Sequence, residues 1–328
     1  MIALPAELRN AIAQALDAVP ETRWLNAARA LSEQYRNLHS ADAAPIVRTR
    51  LDALGYAALL MPATYAQLYG AMHAAAARAP SWQPKTMLDM GSGPGTALWA
   101  ATMCWQSLHD LTAWEREPML IALGRDLARA SANPALRHAR WVQRNLSAPI
   151  ERGIAFDLVV LGHVLGEIPP EERDAVVTSA WRMARGMLLI VEPGTPGGFN
   201  VVRAARDRLL ADGALTIAPC AHNLPCPLND DWCHFPQRLR RPEFQRRARG
   251  APSPWEDAKY SYAALARFPP ERPIWGRVIL EPSFNKAYAE VLISSRDGIV
   301  RHRALKRNRN AFRWVKHLEW GQTLEEKP

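Results

Sequence analysis

The chain has 328 residues, 48% of them hydrophobic, which suffices for one large domain with extensions or for two domains. No apolar run approaches the roughly 18–20 residues of a membrane span; the longest, near Gly186–Val191, has strand length. The start, Met1 to Glu7, lacks a basic stretch followed by an apolar one, so no secretory signal is expected and a soluble, cytoplasmic, monomeric protein without membrane contact is the starting expectation. The net charge is +9, and all of it lies in residues 201–328, because residues 1–200 sum to zero. A basic half beside a neutral one points to a polyanionic partner such as RNA.

Residues 1–80 read as a helical N-terminal domain. Apolar positions recur at helical spacing in Leu8, Ile12 and Leu16, and again in Trp24, Ala27 and Leu31. Met61-Pro62-Ala63-Thr64-Tyr65 offers a helix start, since proline is tolerated in a first turn. From residue 81 to 216 short apolar runs alternate with helical stretches. The runs are Thr86–Asp89, Leu111–Glu115, Trp141-Val142, Phe156–Leu161 and Met187–Val191. Such alternation predicts a parallel sheet covered on both faces. Residues 217–328 form the third expected unit, a cysteine segment followed by a basic, β-rich region. Its part from 217 to 257 shows little periodicity. Strands are expected at Arg277–Leu280, Tyr288–Ser294 and Ile299–Leu305, with Asp297-Gly298 as a turn.

The sharpest motif is Asp89-Met90-Gly91-Ser92-Gly93-Pro94-Gly95, placed between the first strand of the alternating region and a helix starting near Thr96. Gly91, Gly93 and Gly95 allow a tight turn and a close approach of a ligand to the main chain. The third glycine stands one position too early for a dinucleotide fingerprint. The pattern suits a ligand without pyrophosphate, such as S-adenosylmethionine, with Asp89 favouring its ammonium. Glu115, at the end of the second strand, is placed to accept the ribose hydroxyls. The expected fold is therefore α/β, a class I methyltransferase (Rossmann-like) doubly wound sheet with a helical N-terminal extension and a cysteine-containing, β-rich C-terminal one. His163 and Glu167 follow the fourth strand and border the expected pocket as catalytic candidates. That loop carries neither an Asn-Pro-Pro-Tyr-type clamp nor a cysteine able to attack a pyrimidine, so cofactor binding is better founded than catalysis.

Cys220, Cys226 and Cys233 cluster in a stretch that also holds His222 and His234. In a chain of this length such clustering suggests metal more than disulfides. Three thiolates need a fourth ligand for zinc or for an iron–sulfur cluster. Arg240, Arg241, Arg246 and Arg247, together with Arg301, Arg303, Lys306, Arg307 and Arg309, are the expected phosphate contacts.

These motifs, with Pro62–Tyr65, Val191–Pro196, Ala218–His222, Asp231-Trp232-Cys233-His234-Phe235 and Tyr260-Ser261-Tyr262, make the chain resemble the methyltransferase-like proteins of the mitochondrial small ribosomal subunit and their bacterial relatives, over roughly residues 55–320. The resemblance implies engagement of small-subunit ribosomal RNA or the small ribosomal subunit, in translation or in subunit assembly, by an enzyme or by a non-catalytic assembly factor. It also implies a four-iron, four-sulfur cluster held by four cysteines. Three of these correspond to Cys220, Cys226 and Cys233. The fourth position is occupied here by Ser294, which leaves a three-cysteine cluster, zinc with His222 or His234, and an empty site as alternatives.

Overall fold

The computed structural model describes residues 1–37, 46–148, 153–228 and 231–327. Four helices come first: α1 (Ala6–Asp17), α2 (Glu21–Asn37), α3 (Arg50–Leu59) and α4 (Met61–Arg78). Thr49 starts α3 with a capping box, its hydroxyl taking the Asp52 N–H while the Asp52 carboxylate takes the Thr49 N–H. Pro62 sits in the first turn of α4, where its missing N–H costs nothing.

The alternating region follows as β1 (Thr86–Met90), α5 (Thr96–Cys104), β2 (Asp110–Glu115), α6 (Pro118–Arg129), α7 (Pro134–Arg137), β3 (Arg140–Gln143) and β4 (Phe156–Gly162). It continues with α8 (Pro170–Met183), β5 (Ala184–Pro193), α9 (Pro196–Ala211) and β6 (Leu215–Ala218). Then come β7 (Phe235–Arg240), α10 (Glu243–Arg249) and β8 (Trp255–Ala266). The sheet order is β3-β2-β1-β4-β5-β8-β6, with β7 paired to the first half of β8. Strands β1 to β5 run parallel, and β8 enters antiparallel between β5 and β6. That order, with its reversed penultimate strand, is the class I methyltransferase sheet.

Strand alternation sends each apolar run to two cores. Met87, Leu158, Val160 and Leu189 pack with the N-terminal helices, whereas Leu88, Val159, Leu161 and Leu188 pack under α8 and α9. Helices α1 to α4 therefore share one continuous core with the sheet, which is why residues 1–80 do not stand apart as a separate body. The main sheet also runs past residue 216. Strands β7 and β8 complete it, and the expected irregular stretch at 217–257 contains a strand, a helix and the start of the longest strand. Alternation in β7 is masked because its outward positions are Pro236, Arg238 and Arg240 (Phe-Pro-Gln-Arg-Leu-Arg).

A second, smaller sheet comprises β9 (Gly276–Val278), β10 (Ser283–Phe284), β11 (Tyr288–Ser295), β12 (Gly298–Leu305) and β13 (Thr323–Leu324), with helix α11 (Arg309–His317) between the last two. Strands β11 and β12 form a hairpin turning at Asp297-Gly298. Val278, Ala289, Val291 and Ile293 pack against Val315 and Leu318 to give this unit its own core.

Candidate functional site

The glycine loop and the carboxyl ends of β1, β2 and β4 border a cavity of about 710 Å³. Gly91, Gly93, Glu115, His163 and Glu167 line it; Asp89 and Gly95 do not. Gly91 and Gly93 have φ of +76° and +54°, a region that side chains rarely adopt. A β-carbon on Gly91 would lie 2.5 Å from Val164, so the loop cannot widen there. Gly95 serves packing instead, since the Trp141 ring fills the space beside it and it caps α5 in a left-handed conformation.

Glu115 holds the loop together. Its Oε2 accepts the Gly93 N–H at 2.7 Å, and its Oε1 accepts the N–H groups of Arg116 at 2.8 Å and Glu117 at 2.9 Å. A carboxylate has about four lone-pair directions, so roughly one remains for an incoming hydroxyl. Asp89 lies buried beneath the loop, with Oδ2 lacking a hydrogen-bond partner. Burial, reinforced by Glu115, lifts its pKa to about 8.

Further acids crowd the same edge. Burial raises Glu167 to about 7, and Glu192 to about 8 although it accepts the Leu165 N–H at 2.9 Å. Glu117 is also raised by burial and pairs with Arg116 at 3.3 Å. His163 has φ +58°, its N–H is held by the Val191 carbonyl, and burial lowers its ring pKa to about 4, so the imidazole is neutral at pH 7. Several carboxyls thus face or underlie one cavity, which Arg116 and Arg144 also line; the carboxyls outnumber the arginines, and that excess favours a cationic ligand.

Sequence reasoning missed the far wall. Ile46, Val47 and Tyr56, from the N-terminal helical region, close the cavity opposite Gly93. Burial pushes the Tyr56 hydroxyl pKa upward, with Glu167, Glu115 and Asp89 adding to it. No local pattern marks Tyr56, because its role exists only once α3 has packed over the sheet.

Cys220, Cys226, Cys233 and Ser294 line a second cavity, of about 510 Å³, with Arg203 and Arg206. Ser294 arrives from β11, next to three cysteines far away in sequence. His222 and His234 do not line it: the first accepts the Leu224 N–H, and the second is stacked on Trp232. Among the described residues no three His, Cys, Asp or Glu side chains converge closely enough to hold a metal ion. The thiols share a cavity without forming a ligand set, and burial raises the pKa of Cys220 and Cys233. As arranged, the residues do not fit zinc or an iron–sulfur cluster.

The expected phosphate contacts divide into two kinds. Arg241 pairs with Glu256, Arg246 and Arg247 with Glu243, and Arg301 and Arg303 with Glu290. Among the described residues Arg240, Lys306, Arg307 and Arg309 have no carboxylate partner, and all four are exposed. No helix among the described residues is long and apolar enough to cross a membrane.

Residues 50–325 match the family model described as mitochondrial small ribosomal subunit Rsm22. The chain is 29% identical over 288 residues to the human mitochondrial ribosome assembly protein METTL17, covering 83% of this chain and 62% of that protein. It is 26% identical over 225 residues to a mitochondrial Rsm22-cox11 tandem protein of Schizosaccharomyces pombe, covering 61% of this chain and 30% of that one. The chain thus spans less than two thirds of these relatives. Among solved structures, the magnesium protoporphyrin IX methyltransferase of Synechocystis, with bound SAH, aligns at a TM-score of 0.41 and 12% identity over 62% of this chain and 84% of that one. The expectation of a cytoplasmic protein is corrected here, because the family and the relatives are mitochondrial and point to mitochondria instead.

Proposed function

The chain belongs to the mitochondrial small ribosomal subunit Rsm22 family, and from that premise we propose that it is an S-adenosylmethionine-binding, methyltransferase-like protein that engages the small ribosomal subunit or its RNA. One observation carries the cofactor half of this reading. A glycine loop with left-handed backbone borders a cavity ringed and underlain by carboxyls; of the two arginines that line it, Arg116 pairs with Glu117 and Arg144 lies over the Trp114 ring, 4.6 Å from its centroid. S-adenosylmethionine is a cation, and when bound it supplies an activated methyl group.

The chain's own residues do the rest. The bare backbone of Gly91 and Gly93 admits close approach, and Glu115 keeps the loop in shape while retaining an acceptor direction for a ribose hydroxyl. Tyr56 and Val47 shield the pocket from water. Glu167, titrating near 7, can hold a proton at its carboxyl, and His163 stays neutral beside it. The ribosomal half of the proposal is supported by the family match and by the basic C-terminal region. Calorimetry with S-adenosylmethionine tests the first half, and absence of binding would remove it. Methyl-transfer assays on small-subunit RNA and on immature subunits separate an enzyme from an assembly factor that uses the fold for binding alone.

A further inference from the structure

A third concavity, of about 1710 Å³, lies between α4, the β7–β8 pair and the second sheet. Two buried arginines line it. Arg78, in the last turn of α4, is 4% exposed; its Nε donates to the Arg272 carbonyl at 2.5 Å, and its Nη1 has no partner. Arg277, on β9, is 6% exposed and donates to the carbonyls of Pro219 and Gly321, each at 2.9 Å. Among the described residues neither guanidinium pairs with a carboxylate. Burial, with the Arg277 charge adding to it, lowers the pKa of the Arg78 guanidinium to about 10, still above physiological pH, and a buried cation without a counter-charge is unfavourable.

A second orphan lines the same cleft. Trp320 has a buried indole N–H without an acceptor, and the Lys259 ammonium stands 5.5 Å from its ring. Both unpartnered groups are donors. Of the acids lining the cleft, Asp257 is bound to Arg238 at 2.8 Å, while Glu319 and Glu325 are exposed. What is missing is therefore an anionic acceptor. A tetrahedral oxyanion accepts from several directions at once and matches the guanidinium fork.

We propose that this cleft binds a phosphate group through Arg78, Arg277 and the Trp320 indole. The phosphate belongs either to an RNA backbone or to a free phosphate. The proposal does not depend on the cofactor pocket and stands or falls apart from it.

The test uses the full chain. Binding of a single-stranded oligoribonucleotide is followed by fluorescence anisotropy, and binding of inorganic phosphate by thermal shift with acetate as control. Arg78→Gln should weaken binding by about tenfold or more, the scale of a charged hydrogen bond, and Arg78→Lys should restore part of it. The salt slope for RNA should fall by about 0.7 for each arginine removed. RNA binding that depends on Arg78, without a phosphate shift, assigns the site to backbone phosphodiesters. A phosphate shift that depends on Arg78 assigns it to free phosphate as well. Unchanged binding of both probes in folded Arg78→Gln, or an equal shift with acetate, overturns the proposal. Should that variant not fold, hydrogen exchange on the wild type decides: slower exchange at 272–278 and 319–323 on adding RNA or phosphate supports the site, and no change overturns it.

Discussion

Two cavities in this molecule are built from opposite materials. The pocket at the carboxyl ends of β1, β2 and β4 gathers Glu115, Glu117 and Glu167, with Asp89 and Glu192 buried close by. The cysteine cavity and the adjoining cleft gather Arg78, Arg206 and Arg277 beside thiols. The first is held by hydrogen bonds from main-chain N–H groups to a carboxylate. The second is held by arginines donating to carbonyls: Arg206 to His222 and Leu224, and Arg277 to Pro219 and Gly321. On the two proposals, one place would take a cation and the other an anion. In the first, burial holds protons on Asp89 and Glu192 near neutral pH. In the second, Arg206 pairs with Asp207, while Arg78 and Arg277 have no carboxylate partner among the described residues.

The contrast breaks most visibly at Glu115. Glu115→Ala deprives three N–H groups of their acceptor, and those of Gly93 and Glu117 are buried. At about 1–3 kcal/mol for each buried donor left unpaired, urea unfolding should show a loss of about 2–4 kcal/mol. Cofactor binding should disappear by calorimetry, because the loop would no longer be fixed. A variant with wild-type stability and affinity would deny Glu115 both roles.

Proton binding in the acidic pocket makes a pH signature. The carboxyls of Asp89, Glu167 and Glu192 titrate higher in the folded chain than the ordinary 3.8 or 4.5. Their contribution is full below about pH 4 and is lost as pH rises through 7 to 8, because the folded state then binds more protons than the unfolded one. Stability of the ligand-free protein should fall by roughly 1 kcal/mol or more between pH 5 and 8.5, and Asp89→Asn should flatten that fall. Affinity for S-adenosylmethionine should move the other way and strengthen with pH. Thermal unfolding and calorimetry across this range check both signs; a flat profile in each would mean the carboxyls are not coupled to the cavity.

The thiol side should be quieter. Cys226 is half-buried and belongs to no ligand set, so Cys226→Ser should change unfolding by less than about 1 kcal/mol. A loss several times larger, accompanied by loss of iron or zinc from the purified protein, would show that the thiols close around a metal and that this cavity is the more tightly built of the two.

The two cavities also differ in how far they can be read from the chain. Asp89, Gly91, Gly93 and Glu115 lie within 27 residues, and their local strand–loop–helix–strand pattern is enough to place the loop and Glu115 at one sheet edge. Strands β1, β2, β4 and β5 are legible for the same reason, as apolar runs buried on both faces, whereas β3 is a largely exposed edge strand. Tyr56 and Val47 are not, because a helix–sheet contact between distant segments puts them there. Arg78 and Arg277, nearly 200 residues apart, share a cleft only because the end of α4 is hydrogen-bonded to residues 271–272, which lead into β9. Glu115 shows a subtler limit. Its position points to ribose hydroxyls, but three main-chain donors already occupy most of its acceptor capacity. Ser294 lines the same cavity as the three cysteines, a juxtaposition that no local pattern marks and that only the family resemblance suggests, whereas the expected convergence of the three sulfurs into a ligand set does not occur among the described residues.

The smallest effects should come from the basic surface, and they sharpen the anionic half of the comparison. Arg301 and Arg303 flank Glu290 on the β11–β12 hairpin at 2.6 and 2.7 Å, and Arg303 lies 4.2 Å from the Tyr288 ring centroid. A phosphate reaching them must compete with that carboxylate, whereas Lys306, Arg307 and Arg309, just past the hairpin, present charge without one. Neutralising Lys306, Arg307 and Arg309 together should therefore lower the salt slope of single-stranded RNA binding by about 2, near 0.7 for each phosphate no longer neutralised. Neutralising Arg301 and Arg303 should lower it by less than about 1, whereas Glu290→Gln alone, with both arginines intact, should enhance binding by freeing them. Exposed ion pairs of this kind add little to stability, so neither set should move the unfolding midpoint appreciably. Anisotropy titrations at four or five salt concentrations give the slopes. Equal slopes for the two sets would mean that RNA displaces Glu290 without cost, and that pairing in the free protein does not decide where the polyanion lies.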